Sequence, residues 1–398
     1  MSTQTRLKAV MYGAGSIGRG FLGQLFSLSG YDVVFLDINA AVIDALNADG
    51  GYPLRLVSPQ GWQEQTVSPV RGVNSMDAEA AAREIADAHV MATAVGANIL
   101  PRIAPVIARG LAQRWQAGDA RPLDILICEN LLHADRLLRD LLRTHLDPSL
   151  HGLLEQRVGL VEASIGRMVP VPTADMQGDN PLRVWAEPYA ELPVDAGGFK
   201  GPVPPIVGIK PFAPFAFYIE RKLFLHNMSH AMLAYLGSLK GYQTIVQAVE
   251  DPELAAVARG ALAESGAALA ARHGVDPREL QDFADDLMVR FHNPLLGDTV
   301  ARVGRDPLRK LAPDDRLAGA ARLCAQQGIA PRHICRGIAA ALCFSEPTDP
   351  AAAQVQERIA RLGAGQALRE LTGLEPEQPA FAPILEEYER MRRGSWTL

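Results

Sequence analysis

The sequence predicts an α/β protein: a doubly wound parallel sheet in its N-terminal part, followed by a mainly helical C-terminal part. Three observations carry this. Up to about residue 130, short apolar runs alternate with helical patterns, as parallel strands joined by crossover helices do. A glycine fingerprint, Gly13-x-Gly15-x-x-Gly18, stands between the first strand and the first helix. Beyond Phe215 the strand-like runs stop and long helical patterns take over. A length of 398 residues also exceeds what one ordinary core serves. Domains over 1–210 and 211–398 are expected.

The elements follow in order. Residues 7–12 (LKAVMY) read as a buried strand, and 19–29 carry a helical apolar pattern closed by Gly30. A second strand is Asp32–Leu36, ending at Asp37, and 40–48 turn helical again. His89–Val95 and Leu123–Cys128 are further strands of the same sheet, with crossover helices at 99–114 and 132–145. From Val158 to about Pro214 the chain is rich in Pro and Gly, with short strand-like runs such as Leu182–Ala186, and reads as the tail of the first domain plus a connecting segment. Helical patterns then cover 217–240, 252–273, 278–292, 315–327, 330–344, 351–371 and 379–392.

Composition narrows the function. With 48% hydrophobic and 21% charged residues, disorder over the whole length is excluded. The net charge of −6 argues against nucleic acid or an anionic membrane as the main partner. Cys128, Cys324, Cys335 and Cys343 form no C-x-x-C pair and are too few for a disulfide scaffold, which points to a reducing compartment. The N-terminal apolar stretch is broken by glycines and reads as neither signal peptide nor membrane span. A cytoplasmic protein is expected.

The glycine fingerprint has the context that gives it meaning. A strand precedes it, a helix follows, and an acid ends the next strand about 20 residues on. In such a Rossmann-type unit the first Gly allows the tight turn, the second admits a pyrophosphate, and the third lets helix and strand pack closely. The helix N-terminus offers free N–H groups to that pyrophosphate. Gly13, Gly15, Ser16, Ile17 and Gly18 are therefore expected at the cofactor, with Asp37 and Asn39 beside the adenosine ribose and Gly96 and Asn98 at the next strand end. A carboxylate at Asp37 would repel a 2′-phosphate, so NAD is favoured over NADP. FAD, which uses the same fold, is the rival.

Ligands of such sheets bind beyond the carboxyl ends of the strands. Asn130 stands there, either as an amide donor to a substrate oxygen or as the N-cap of a helix beginning at Leu131. In the helical half, ERKLFLHNMSH places Lys222, His226, Asn227 and His230 on one arc. On a straight α-helix His226 falls about 40°, His230 about 80° and Asn227 about 140° from Lys222. Desolvation lowers a lysine's pKa, which would make Lys222 a usable general base; a snorkelling lysine is the plainer reading. His226 and His230 at i, i+4 also invite a zinc reading, but no third ligand is evident and no metal is expected. Arg290, Arg302, Arg305 and Arg309, with Lys310, could hold a phosphate, or could form a solvated face paired to Asp298, Asp306 and Asp314.

Taken together, these residues resemble the polyol-specific long-chain dehydrogenases, the mannitol dehydrogenase family, over nearly the whole chain. The resemblance rests on KAVMYGAGSIGRGFLG followed by FLDIN, on Glu129-Asn130, on Lys222-x4-Asn227-x2-His230, and on RFHNPLLGD…RVGRDPLRKL. It implies a zinc-independent, NAD-linked enzyme with a Rossmann domain and a helical domain, acting as a monomer. By that analogy Lys222 is the base, Asn227 and Asn130 hydrogen-bond the developing alkoxide, and His230 positions the substrate. The implied reaction interconverts mannitol 1-phosphate and fructose 6-phosphate, a sugar-alcohol phosphate and a ketose phosphate. Alternatives are a dehydrogenase of unphosphorylated mannitol or of a hexuronate-derived polyol, and a non-catalytic NAD-binding sensor. One departure is Gly166, where many relatives carry Asp before the Arg.

Overall fold

The computed structural model describes residues 6–131 and 133–394. It separates into two compact units that meet in sequence at Phe215 and Ala216.

The first unit is built on strands β1 (Lys8–Tyr12), β2 (Asp32–Asp37), β3 (Tyr52–Ser58), β4 (Gly61–Val67), β5 (Val70–Asn74), β6 (Val90–Thr93), β7 (Leu123–Ile127), β8 (Val158–Glu162), β9 (Val184–Ala186), β10 (Leu192–Asp195) and β11 (Ile209–Phe212). Six of them form one parallel sheet in the order β5-β2-β1-β6-β7-β8. Successive side chains feed opposite faces, as strand geometry requires. Ala9 and Met11 with Val33 and Phe35 pack into one core, and Val10 and Tyr12 with Val34 and Leu36 into the other. Helices cover both faces, so the strands read as continuous apolar runs. Each fully buried Leu, Val or Phe here contributes about 1.5–3 kcal/mol relative to exposure. The sheet reverses direction of winding at β1 and β6, so their carboxyl ends frame the crevice where ligands of such sheets bind.

The structure adds strands that the apolar pattern did not disclose. Residues 52–67 form the antiparallel hairpin β3–β4, joined in parallel by β9. Its outer strand, GWQEQTV, is largely exposed, so it carries little apolar signal. The connecting segment likewise contributes β8 to the main sheet and the pair β10–β11. Among the expected helices, the one at 132–145 begins at Ala134, and Leu132 lies outside the described residues.

The second unit is helical. Its longest helix, Pro252–His273, is capped by Asp251, whose side chain accepts from the Glu253 and Leu254 N–H groups, and ends at Gly274 in the left-handed region. By length and composition it could cross a membrane, but 56% of its apolar window is buried inside the protein. The expected helix at 351–371 is two helices, Pro350–Leu362 and Ala364–Thr372, split at Gly363 with φ +77°. The expected helix at 217–240 is also interrupted. Ala216–Arg221 and Met228–Leu239 are α-helical, and Lys222–Asn227 between them form a π-helical turn.

Candidate active site

In the first unit the glycine loop is held tightly. The Gly13 N–H donates to the Leu36 carbonyl at 2.8 Å, and Gly13 has φ +104°. A Cβ at Gly13 would lie 2.6 Å from the Ala94 carbonyl oxygen, and one at Gly18 would lie 1.9 Å from the Gly13 oxygen. Gly15 differs: a Cβ there would meet nothing, and the residue is exposed. Gly13 and Gly18 thus close the turn, while Gly15 leaves an open cradle for a ligand's approach. Ser16 and Ile17 lie half-buried beside it.

Asp37 braces this cradle. Its Oδ2 accepts the Ala14 N–H at 2.7 Å and its Oδ1 the Asn39 N–H at 2.9 Å. Asn39 spends its own side-chain oxygen on the Val42 N–H, capping the helix Ala40–Asp49. Two residues missed in the sequence stand next to Asp37. Ile38 and Met76 are 70% and 77% exposed at the ends of β2 and β5, where the Ser75 N–H donates to the Asp37 carbonyl. Large apolar side chains left in water at the carboxyl ends of a parallel sheet suit a flat, apolar ring. The loop, the carboxylate and this apolar pair fit a dinucleotide.

At the next strand end Gly96 has φ +96°, and Asn98 is exposed. Glu129, buried after β7, accepts the Val95 and Gly96 N–H groups at 3.0 and 2.8 Å and so fixes this turn. Asn130 is exposed. It does not cap the following helix: that helix starts at Ala134, its first residue preceded by His133 with φ +56°, and Glu162 accepts the Ala134 N–H at 3.0 Å. Gly166 lies against Tyr189, whose ring a Cβ would approach to 3.1 Å, so a side chain there would press on that ring. The neighbouring Arg167 is buried and ties the Gly20 carbonyl and the Gln24 side chain to the Tyr189 carbonyl.

In the second unit the π-helical turn reshapes the arc expected on a straight helix. The Met228 N–H donates to the Leu223 carbonyl, an i→i+5 bond. Such a turn draws residues five apart closer round the helix axis than an α-helix does. Lys222 and Asn227 are five apart, so the turn brings them onto one edge. Single π turns of this kind are frequent at functional sites. The same Met228 N–H also reaches the Leu225 carbonyl and passes over that of Phe224. The Phe224 carbonyl is taken instead by the Ser265 hydroxyl, fully buried in Pro252–His273, at 2.8 Å. Ser229 does the same for the Leu225 carbonyl at 2.7 Å. Two buried hydroxyls therefore satisfy carbonyls inside the distorted turn.

The rest of this face is charged and aromatic. His230 stacks on Phe291 at 4.9 Å, and its Nε2 lies 3.0 Å from Asp298 Oδ2. Burial pushes the Asp298 carboxyl up, but the close approach of His230 and the charges of His230 and Arg302 outweigh it and hold the pKa below the usual range. His226 is 5% exposed, and its Nδ1 is buried without a partner among the described residues. Burial first, then the charges of Arg290, His230, Lys222 and Arg316, keeps His226 well below the usual histidine pKa, so it is neutral. His226 and His230 lie 6.1 Å apart between ring centres. Among the described residues the group of possible metal ligands lies elsewhere, at His133, Asp135 and Glu162.

The expected phosphate residues differ in their surroundings. Arg302 is paired with Asp298, the same carboxylate that meets His230. Arg290 is buried and 3.5 Å from Asp286. Arg305 is exposed. Arg309 reaches Asp306 at 3.1 Å and Asp315 at 3.4 Å. Sequence reasoning missed Arg316, which is buried and 2.7 Å from Asp315, because it stands apart from the basic run.

Comparison with known proteins agrees with this layout. Residues 7–208 match the family model described as the mannitol dehydrogenase Rossmann domain, and 215–373 the mannitol dehydrogenase C-terminal domain. A mannitol-1-phosphate 5-dehydrogenase from Brevibacillus brevis is 40% identical over 387 residues, 97% of this chain and 99% of its own. One from Geobacillus thermodenitrificans is 39% identical over 389 residues, 97% of this chain and 100% of its own. The solved structure of Pseudomonas fluorescens mannitol 2-dehydrogenase with NAD and D-mannitol shares the fold with a TM-score of 0.78. It is 18% identical, with 98% of this chain and 93% of that one covered. The chain belongs to the mannitol dehydrogenase family.

Proposed function

We propose that this chain is an NAD-dependent, metal-independent dehydrogenase that interconverts mannitol 1-phosphate and fructose 6-phosphate. The observation that carries the chemistry is the π-helical turn, which sets Lys222 and Asn227 on one edge with His230 a turn further on. The choice of polyol is supported by the two relatives near 40% identity across the whole chain, both mannitol-1-phosphate 5-dehydrogenases.

Gly13, Gly15, Ser16, Ile17 and Gly18, with Asp37, hold the dinucleotide, and Asn39, Gly96 and Asn98 line its path. When bound, the nicotinamide is the acceptor or source of hydride. In the oxidising direction Lys222 Nζ takes the hydroxyl proton of the carbinol. In the reducing direction the same atom, protonated, returns it to the ketone oxygen. The Asn227 amide donates to the oxygen as charge builds on it, a preorganised donor of the kind that stabilises oxyanions. Asn130 is given the same donor role. His230, oriented by Asp298 and by stacking on Phe291, positions the substrate hydroxyls. The partner is a small polyol or ketose phosphate; the working unit is a single chain in the cytoplasm.

The test is NADH oxidation followed at 340 nm with fructose 6-phosphate, run beside fructose. Turnover with the phosphate alone is the expected result. Turnover with fructose alone would move the enzyme to the unphosphorylated branch of its family.

A further inference from the structure

The segment 302–316 carries five cations, Arg302, Arg305, Arg309, Lys310 and Arg316, and the fold treats them differently. Arg302 is committed to Asp298, and Arg305 projects into solvent. Lys310 and Arg316 are instead 5% and 8% exposed. Lysine and arginine almost never reach that depth unless paired.

Their pairing is incomplete. The Lys310 ammonium donates to the Arg305 carbonyl, and among the described residues no carboxylate lies within ion-pair distance of it. It has three N–H donors and one such acceptor. Asp315 takes the Nε of Arg316 and an Nη of Arg309, which holds these two guanidinium groups on one carboxylate. Among the described residues no further acceptor takes the remaining Nη edge of Arg316. Arg316 also exerts its charge on His226, together with Arg290, His230 and Lys222, so it acts in the same field as the Lys222 face.

The geometry points to a phosphate seat made by Lys310 and Arg316, with Arg309 at its edge, that receives the phosphoryl group of the substrate. This rests on the reading of a phosphorylated substrate given above. A phosphate has the acceptors these groups lack: oxygens for the Lys310 ammonium and for the planar fork of Arg316. The protonation of Lys310 is consistent with such a seat. Burial, then the charges of Arg316 and Arg309, draws its pKa down to about 7 against the opposing pull of Asp306 and Asp315. An arriving dianion would restore the proton. The exposed cations Arg302 and Arg305, which the basic run brings to notice first, lie outside the seat.

The experiment compares wild type with Lys310→Gln and Arg316→Lys, using fructose 6-phosphate as substrate and inorganic phosphate as inhibitor. Lys310→Gln is expected to raise KM for fructose 6-phosphate about tenfold or more and to weaken phosphate inhibition by a similar factor. Its kcat should fall less than its kcat/KM, because the interaction is made in the ground state as well. Arg316→Lys keeps the charge but loses the fork, and should raise the same KM by a smaller factor. Unchanged KM and unchanged phosphate inhibition in both variants would overturn the seat. If neither variant folds, hydrogen exchange of wild type decides: inorganic phosphate should protect residues 305–316, and no protection overturns it. A wild type that ignores fructose 6-phosphate, yet is protected there by phosphate, would sink the proposed reaction and leave the seat standing. The reverse pattern would keep the reaction and remove the seat.

Discussion

At Asp37 one carboxylate does two jobs. Besides the ribose contact proposed for it, it receives the Ala14 and Asn39 N–H groups and so fixes the shape of the glycine loop. Asp37→Ala should therefore lower NADH affinity about tenfold or more, read by fluorescence titration. Asp37→Asn, which keeps one acceptor, should lose less. His226 gives the opposite expectation for stability. Its Nδ1 is buried without a partner among the described residues, so His226→Leu removes an unsatisfied polar atom and keeps an apolar body. Thermal unfolding should show a Tm equal to wild type or a few degrees higher. A drop of several degrees would mean that the imidazole is held by a bond that this account lacks. The residue types of the site were legible in the sequence: the three glycines, Asp37 and the Lys-Asn-His spacing all stand out. The supporting groups were not. Ser265 acts through a contact across the fold that no local spacing marks, and Glu129, though part of the family resemblance, discloses its hold on the Val95 and Gly96 N–H groups only in the structure.

The π-helical turn at Lys222–Asn227 decides how the Lys-Asn-His spacing works. A periodicity of 3.6 residues puts Asn227 well round the helix from Lys222, and only the i→i+5 register brings them together. That register leaves the Phe224 carbonyl without the Met228 N–H, and Ser265 supplies the missing donor. Ser265→Ala should cost about 1–3 kcal/mol of stability, the price of an unsatisfied buried carbonyl. It should also reduce kcat, as Lys222 and Asn227 lose their alignment, while NADH affinity stays at the wild-type value. A variant that unfolds earlier but keeps full kcat would show that the turn does not depend on this hydroxyl. The β3–β4 hairpin shows why other elements escaped detection. Trp62, Glu64 and Thr66 on an exposed strand alternate with the polar Gln63 and Gln65, and Val67 marks the buried side just at its end, so the pattern reads as loop.

At the scale of the whole molecule, the alternation of strands and helices disclosed the two-part architecture, while the strand order and the three-stranded side sheet came only from the structure. Stability should report the buried charge in the second unit. Burial draws the Lys310 pKa down to about 7 in the fold, against about 10.4 when unfolded. Between those values the unfolded chain binds the extra proton, so this group makes stability rise with pH. Its penalty is full below about pH 7 and is relieved as pH climbs. Lys310→Met should therefore raise Tm more at pH 6 than at pH 9; an equal change at both would contradict a neutralised lysine. The central claim is that Lys222 moves the proton in an NAD-linked polyol oxidation. It is tested most directly by the turnover of Lys222→Ala with fructose 6-phosphate, alongside its NADH affinity. The account predicts a loss of about 10²–10⁴-fold in kcat with NADH binding intact. Near-normal turnover with normal NADH binding would contradict it.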